Sequence, residues 1–227
     1  AAGVLALRNL IDTPRNSGEF KFDGRDRIGV TKPVALTRMC WATNPGPVLA
    51  SSYQIQSTLE FGTQFVVPIG ENTPNNAYNE IFERVEVSVM AAENGTLIQI
   101  DKDNDGSFET TTTLNAGESF AVAGFRVGAK MNASKPVQAH LITGDVGATY
   151  ESRWFNLFPR DTWGSEYFNP VGTTSASDPV SVFLYNPNTF QISIQAHTRG
   201  GGTTNIDVPA GETASYVMPA DTGARFR

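Results

Sequence analysis

The stretch Ser134-Lys135-Pro136-Val137 is decisive for the fold, because Thr31-Lys32-Pro33-Val34 has nearly the same sequence about 100 residues earlier. Three further blocks recur in the same order: Gly62–Gly70 as Gly164–Gly172, Val87–Met90 as Val180–Phe183, and Ala116–Ser119 as Ala210–Thr213. Four matched blocks in one order indicate an internal repeat. The chain is therefore predicted to contain two copies of one structural unit.

The repeated segments have the pattern of strands. Apolar and polar residues alternate with period two in Val85–Met90, Thr96–Asp101 and Gln191–Gln195, and no stretch of comparable length has a helical period. Turn signals such as Asn94-Gly95 and Asp105-Gly106 separate the runs. Many short strands at even spacing predict an all-β fold of tandem β-sandwich domains, arising from an internal repeat of about 100 residues.

A partial copy opens the chain. Gly18-Glu19-Phe20 before the first Lys-Pro-Val block parallels Gly117-Glu118 before the second. The repeat therefore predicts three parts: a partial repeat at 1–26, a first sandwich repeat at 27–125 and a second at 126–227, with a tight joint at 115–130.

The matched phase of the two ends suggests a mode of assembly. An all-β unit that lacks a strand has an unpaired edge, and surplus strands at one end of a chain can pair with such an edge on another. The apolar residues of the predicted donor strand are Val4, Leu5, Leu7, Leu10 and Ile11. The alternative is that residues 1–26 fold back as an ordinary edge strand of the first sandwich.

Composition excludes several classes of function. A formal net charge of −6 without a basic stripe makes nucleic acid a poor partner, and no apolar run reaches the length of a transmembrane helix. The single cysteine, Cys40, rules out an intrachain disulfide and leaves the compartment open. The short apolar opening Ala1–Leu7 would fit a mature N-terminus left by signal-peptide cleavage, or a trimmed fragment.

Three motifs carry a family resemblance: the strand Ala133–Val137 running on to Asp145, the aromatic approach Leu157–Tyr167, and the strand Gly62–Val67. Over roughly residues 18–227 the chain resembles the N-terminal domain family of IgGFc-binding proteins and its bacterial relatives. The resemblance implies a secreted or surface-displayed β-rich module of larger adhesive proteins. It does not imply antibody binding, because no residue of this sequence matches that property.

The sharpest chemical signal is the acidic run at 101–109. Oxygen ligands at alternate positions with Gly106 at the sixth position are typical of a loop that wraps one Ca²⁺. Thr112 stands where an EF-hand has a bidentate Glu, and the flanks are strand-like, so a hairpin-loop calcium site or a solvated acidic turn remain the alternatives. The predicted ligands are the carboxylates of Asp101, Asp103 and Asp105, the backbone carbonyl of Ser107, and Glu109.

Other candidate sites are weaker. The aromatic cluster Trp154, Phe155, Phe158, Trp163, Tyr167 and Phe168 is interpreted as core rather than as a sugar-stacking platform, because the first repeat keeps bulky residues at two of its positions. Asn94 and Asn132 match the N-glycosylation pattern. No zinc motif, nucleophile elbow or singled-out carboxylate pair is present, and the chain is predicted not to be an enzyme.

The leading expectation is an extracellular structural protein, a subunit of a surface filament, sheath or layer that assembles head-to-tail as a homopolymer. The alternative is an adhesin-type binding module for a cell-surface glycan or host protein. A hydrolase or accessory domain is the weakest of the three hypotheses.

Overall fold

The computed structural model describes residues 28–40, 51–73, 79–144, 153–170, 172–175, 177 and 179–227. This part of the chain contains fifteen strands, three short 3-10 segments and no α-helix, which confirms the predicted all-β class. The strands are β1 (Thr37–Cys40), β2 (Ser51–Gln54), β3 (Gly62–Val66), β4 (Arg84–Ala91), β5 (Thr96–Asp101), β6 (Thr110–Leu114), β7 (Ser119–Ala123), β8 (Lys130–Gly144), β9 (Arg153–Leu157), β10 (Tyr167–Asn169), β11 (Ser181–Tyr185), β12 (Ile192–Thr198), β13 (Gly202–Val208), β14 (Thr213–Val217) and β15 (Ala224–Phe226). The 3-10 segments are Thr58–Glu60, Asn79–Phe82 and Arg160–Thr162.

A seven-stranded antiparallel sheet is built around the long strand β8. Its order is β6-β5-β8-β4-β7, and β3 and β9 also pair with β8. The start of β8 pairs with β5 and β3, whereas its end pairs with β4 and β9. Strand β8 therefore joins two layers of one sandwich-like first unit: a front layer of β3, β8, β5 and β6, and a back layer of β9, β8, β4 and β7.

The Lys-Pro-Val block lies where β8 passes from one layer to the other. Pairing with β5 ends at Ala133, and pairing with β4 begins at Val137. Between them, the Ser134 hydroxyl accepts the Leu97 N–H at 2.9 Å, in place of a ladder bond. Pro136 has no N–H to pair, so it fits this crossover without leaving a donor unsatisfied.

The apolar side chains at alternate strand positions form the core between these layers. In β4 every second residue is buried, and Val85, Val87 and Val89 are at most 1% exposed. Residues of β5 and β8 complete the cluster from the same unit, among them Ile98, Ile100 and Leu141. Each such fully buried side chain contributes roughly 1.5–3 kcal/mol relative to its exposed state, so this cluster is the main source of stability.

The sheet extends past the boundary predicted between residues 125 and 126. Strands β8 and β9 lie beyond that boundary, yet β8 is the central strand of the sheet formed by β3 to β9. The division at 125/126 therefore does not separate two sheets. The Lys-Pro-Val block lies within the central strand of this sheet, and its partners β3, β4 and β5 all precede it.

The remaining strands form a smaller second unit. Strands β10, β15, β12 and β13 make a four-stranded sheet in that order, and β11 pairs with β14. The four-stranded order matches the front layer of the first unit, β3-β8-β5-β6. The β11–β14 pair matches β4–β7 of the back layer. The buried residues of its core are Ala196, Met218, Ala224 and Phe226.

Backbone hydrogen bonds give the residue correspondence between the units. Two bonds that close the β4–β7 pair recur around β11–β14: Gly124 N–H to Val85 O recurs as Met218 N–H to Val180 O, and Ala91 N–H to Glu118 O recurs as Asn186 N–H to Glu212 O. Val180 therefore corresponds to Val85, whereas the sequence match had aligned it with Val87. A shift of two residues leaves every side chain on the same face of a strand, so the alternating pattern alone did not reveal it.

The hairpin β1–β2 packs against the outer side of the β8–β9 hairpin. The Tyr53 ring contacts the His140 ring edge-on at 4.2 Å and stacks on Trp154 at 6.0 Å. The Arg38 guanidinium lies over the Trp154 ring at 4.3 Å.

The predicted partial repeat at 1–26, with the donor residues Val4, Leu5, Leu7, Leu10 and Ile11, lies outside the described residues. Among the described residues, no helix has the length and apolarity needed to cross a membrane.

The repeated glycines Gly70 and Gly172 allow close backbone contacts. A Cβ on Gly70 would lie 2.3 Å from the Arg126 carbonyl carbon, and one on Gly172 would lie 2.8 Å from the Pro219 oxygen. We expect Gly70→Ala to lower the free energy of unfolding by about 2 kcal/mol or more, because backbone must move to admit the methyl group. Urea denaturation measures this change in the free energy of unfolding. Gly29→Ala, at a position with open space, is the control and leaves stability unchanged.

The contact between hairpins makes stability depend on pH. Burial, reinforced by the Arg38 charge, lowers the pKa of His140 from 6.5 to about 4. The folded state therefore binds fewer protons than the unfolded state between these values, and stability falls as pH decreases from 6.5 toward 4, by up to about 3 kcal/mol. We expect His140→Gln to flatten this slope in thermal melts, while His197→Gln leaves it in place. An unchanged slope in His140→Gln would contradict the assignment.

Candidate metal centre

The acidic segment is the connection between β5 and β6. Asp101 is the last residue of β5, and Thr110 begins β6 opposite Ile100. Between them the chain turns through left-handed backbone at Asn104 (φ 64°) and Gly106 (φ 96°). Asn and Gly are the residues that adopt this conformation at least cost, which lets the short loop curl round its own side chains.

Carboxylates hold the loop by accepting its backbone N–H groups. Asp101 is only 1% exposed, and its two carboxylate oxygens accept the N–H groups of Asp105 at 3.2 Å and Gly106 at 3.1 Å. Asp105 accepts the Ser107 N–H at 2.7 Å, and Glu109 accepts the Lys102 N–H at 2.6 Å. These bonds point the acidic side chains inward, toward one another.

The result is a compact group of four carboxylates. Asp101, Asp103, Asp105 and Glu109 each offer an oxygen, and these oxygens all lie within 4.8 Å of one another. Oxygens on opposite sides of Ca²⁺ are about 5 Å apart and those around Mg²⁺ about 4 Å apart, given their bond lengths. The group can therefore hold a metal ion, and the 4.8 Å limit is compatible with either spacing.

The structure brings together four of the five predicted ligands. The fifth, Ser107, lies in the same loop, and its carbonyl stays a prediction. The flanking elements are strands, and Thr112 lies within β6 opposite Ile98, so the loop is a hairpin connection and not an EF-hand. Sequence spacing placed these carboxylates correctly because a nine-residue loop leaves them little room to separate.

An open cleft of about 420 Å³ adjoins the loop. It is lined by Glu71, Asn72, Lys102, Asp103, Glu109, Gly124 and Arg126. Sequence reasoning missed Glu71 and Asn72, which come from a turn far away in sequence. Their side chains accept the N–H groups of Val85 at 3.1 Å and Val127 at 2.8 Å, so both brace the backbone beside the loop.

The corresponding hairpin of the second unit is short and has no acidic loop. Strands β12 and β13 pair as far as Thr198 opposite Gly202, and Gly200 and Gly202 have positive φ. The hairpin therefore closes without a metal. The acidic loop is an addition to the first unit and is not a requirement of the fold.

The aromatic cluster is less buried than the sequence predicted. Trp163 packs edge-on against Tyr185 at 6.1 Å, and Trp154 lies under Tyr53, as expected for packing residues. The other four, however, are between 44% and 70% exposed: Phe155, Phe158, Tyr167 and Phe168. The core interpretation is therefore wrong for these four residues. Phe155 lies in β9 and Tyr167 and Phe168 lie in β10, which are edge strands among those described, and Phe158 lies in the connection that follows β9.

The two candidate glycosylation sites occupy different surroundings. Asn94 is exposed in the turn between β4 and β5, where its side-chain oxygen accepts the Ala116 N–H at 2.9 Å. Asn132 lies in the middle of β8, between Gln64 of β3 and Gln99 of β5. Glycosylation at either position stays a prediction.

Comparisons with known proteins give no assignment. No protein-family model matches the chain, and no curated protein matches it. Two crystal structures of a GH2 beta-galacturonidase from Eisenbergiella tayi are similar at low level. The one bound to glycerol has 12% identity and a TM-score of 0.21 over 86% of this chain and 38% of the enzyme. The one bound to galacturonate has 11% identity and a TM-score of 0.22 over 82% and 37%. The chain thus spans well under half of either enzyme, and scores this low support no inference.

The acidic loop yields a direct test. We expect Ca²⁺ to raise the melting temperature, with a gain of about 2.7 kcal/mol at a hundredfold excess over Kd. Asp103→Asn with Asp105→Asn removes two charges without disturbing buried Asp101, and should abolish this gain and the binding heat in titration calorimetry. Asp207→Asn, an exposed acid on β13, is the matched control. Equal calcium binding by both variants would show that the loop is only an acidic turn.

Proposed function

We propose that the chain is an extracellular structural protein, a subunit of a surface filament, sheath or layer assembled head-to-tail by strand addition. The single observation that supports it most is the open edge of β11. In the first unit β4 has partners on both sides, β7 and β8. In the second unit, among the described residues, β11 pairs with β14 alone.

Burial at matched positions shows the consequence of the open edge. Val85 and Val87 are fully buried beside β8, but their counterparts Val180 and Val182 are only half-buried. Leu184, the counterpart of Val89, is half-buried as well. The second core therefore presents apolar side chains next to unpaired backbone groups. Such an edge is a template for an added strand, which would cover both at once.

Strand addition between different surfaces of one chain produces an open-ended assembly. The contact is heterologous, so each added subunit presents a new open edge unless the rotation closes a ring. A filament or layer therefore follows from this contact without further specialised sites. Extracellular placement rests on the resemblance to the N-terminal domain family of IgGFc-binding proteins, which stays a prediction.

Calcium at the acidic loop fits a structural role. Four carboxylates within 4.8 Å of one another repel each other unless a cation is present. We assign Ca²⁺ to this site, with Asp101, Asp103, Asp105 and Glu109 as ligands. The ion would fix the end of the β5–β6 hairpin and stiffen the front layer of the first unit.

An adhesin-type binding module is the second candidate. The exposed aromatic side chains favour it, because Phe158 and Tyr167 offer flat apolar surface of the kind on which sugar rings stack. Two hydrogen bonds from neighbouring residues hold these side chains in one region. The Trp163 Nε1–H donates to the Phe158 carbonyl at 3.4 Å, and the Gly164 N–H donates to the Tyr167 hydroxyl at 2.7 Å. A monomer that binds a glycan array would favour this function over assembly.

Ser181→Pro tests strand addition at the edge itself. Val180 and Asn186 face β14 with their backbone groups, so by antiparallel alternation the Ser181 N–H points to the open edge. A proline there removes an edge donor and leaves the β14 bonds intact. In negative-stain electron microscopy and light scattering, we expect the 227-residue chain to form filaments or sheets, and Ser181→Pro to raise the critical concentration at least tenfold.

Ser181→Ala, which keeps the N–H, is the control and should assemble like the original chain. A calcium chelator separates the two proposals: loss of assembly would make the ion structural for the polymer, while unchanged assembly would confine it to the subunit. Isolated two-lobed monomers at all concentrations would contradict the proposed function and favour the adhesin alternative.

A further inference from the structure

The hairpin β1–β2 has the same pairing as the hairpin made by the end of β8 with β9. Thr37 lies opposite Gln54, and the matching pair in the repeat is His140 opposite Asn156. The next pair also corresponds. The Ile55 N–H donates to the Leu36 carbonyl, and in the later hairpin Ala139 lies opposite Leu157. The Lys-Pro-Val block precedes both hairpins. Residues 32–40 and 51–55 are thus a second version of the strands that close the back layer of the first unit.

This second version has no core of its own to cover. In β8, Val137 and Ala139 are fully buried against β4. Their counterparts are Val34, which is 58% exposed, and Leu36, which is half-buried. The hairpin therefore has the apolar face of a core strand, and this face is only partly covered where it now lies.

The present contact of the hairpin with its own chain is poorly satisfied. Arg38 Nη1, Trp154 Nε1 and Asn156 Oδ1 are buried there without a hydrogen-bond partner among the described residues. An unsatisfied buried polar atom costs about 1–3 kcal/mol. Leaving this position would expose these atoms to water, but it would also give up the hydrogen bond that the Asn156 Nδ2–H donates to the Gln54 carbonyl at 2.9 Å and the contact of Arg38 with the Trp154 ring.

Within the described part of the chain, no strand pairs with the outer edge of β11, where the first unit has the strand that this hairpin resembles. In the first unit β4 receives the end of β8 with Val85 opposite Thr143, Val89 opposite Ala139 and Ala91 opposite Val137. Strand β11 corresponds to β4 with Val180 in the place of Val85. Among the described residues, β11 therefore has an edge to which a strand could add, and the hairpin is a strand pair of the kind that adds to such an edge.

We propose that the β1–β2 hairpin of a second copy of this chain adds to the open edge of β11. The register follows from the first unit: Val34 opposite Asn186, Leu36 opposite Leu184, Arg38 opposite Val182 and Cys40 opposite Val180. The proposal rests on the proposed function and identifies the donor in it, placing the donor at residues 32–40 with its partner strand at 51–55, instead of the predicted donor at 4–11.

Arg38 is the one departure from an apolar donor. It takes the place of Leu141, which is buried in the core of the first unit. Its aliphatic stem would cover Val182 while the guanidinium reaches solvent at the open side of this smaller core. A charge at this position limits the affinity of the added strand and keeps assembly reversible.

A disulfide tests the register, because Cys40 is the only cysteine in the chain. In Val180→Cys the two cysteines of neighbouring subunits would face each other across the new ladder. We expect a ladder of disulfide-linked species on non-reducing gels after mild oxidation, with mass spectrometry identifying the peptide that joins positions 40 and 180. The matched control is Ser181→Cys, one residue along on the opposite face of β11, and should give at least tenfold less cross-linking.

The outcomes separate this inference from the proposed function. Filaments without the 40–180 cross-link would overturn the hairpin as donor while leaving strand addition in place, whereas absence of both would overturn both. A dimer band without higher species would keep the donor and contradict an open-ended polymer. If Val180→Cys does not fold, the triple variant Leu36→Cys, Leu184→Cys, Cys40→Ser examines another pair on the same face in the same register, and its cross-link decides the question.

Discussion

The pairing of β8 with four other strands is the interaction on which the first unit depends. A β-strand has two edges, and β8 uses both of them twice, first in the front layer and then in the back layer. Its alternating side chains supply Met131, Ala139 and Leu141 to the core between these layers. Without β8 the two layers would share no strand, and the apolar face of β4 would have an open edge like that of β11.

The second unit has a counterpart of the front layer but, among the described residues, no counterpart of the β8 end that completes the back layer. Strand β15 takes the position of the start of β8 and completes the front layer, but among the described residues no strand takes the position of its end. Among the described residues, this core has four buried members and the core of the first unit has eighteen, and the unpaired edge of β11 is one reason for the difference. The half-buried Val180, Val182 and Leu184 are the direct result, and they motivate both proposals about assembly.

The acidic loop illustrates a different kind of constraint, one that is local. Its carboxylates converge because each accepts a backbone N–H within the loop, and because Asn104 and Gly106 permit the necessary turns. The fold neither requires nor prevents this, since the corresponding hairpin of the second unit closes through a short glycine turn. A loop of this kind is free to acquire a metal while the strands around it stay unchanged.

The sequence by itself determined the all-β class, the strand segments and the acidic residues that come together, because these depend on period-two alternation and on short spacing. Only the tertiary structure decided the rest. It showed that Val180 corresponds to Val85, since a shift of two residues keeps every side chain on the same face of the strand. It also showed that the Lys-Pro-Val block pairs with strands that precede it, which the sequence of the block does not reveal. It also exposed Phe155, Phe158, Tyr167 and Phe168 and, as far as the chain is described, left one edge of β11 unpaired. Burial and pairing are properties of neighbours, and neighbours distant in the chain are brought together only by the fold.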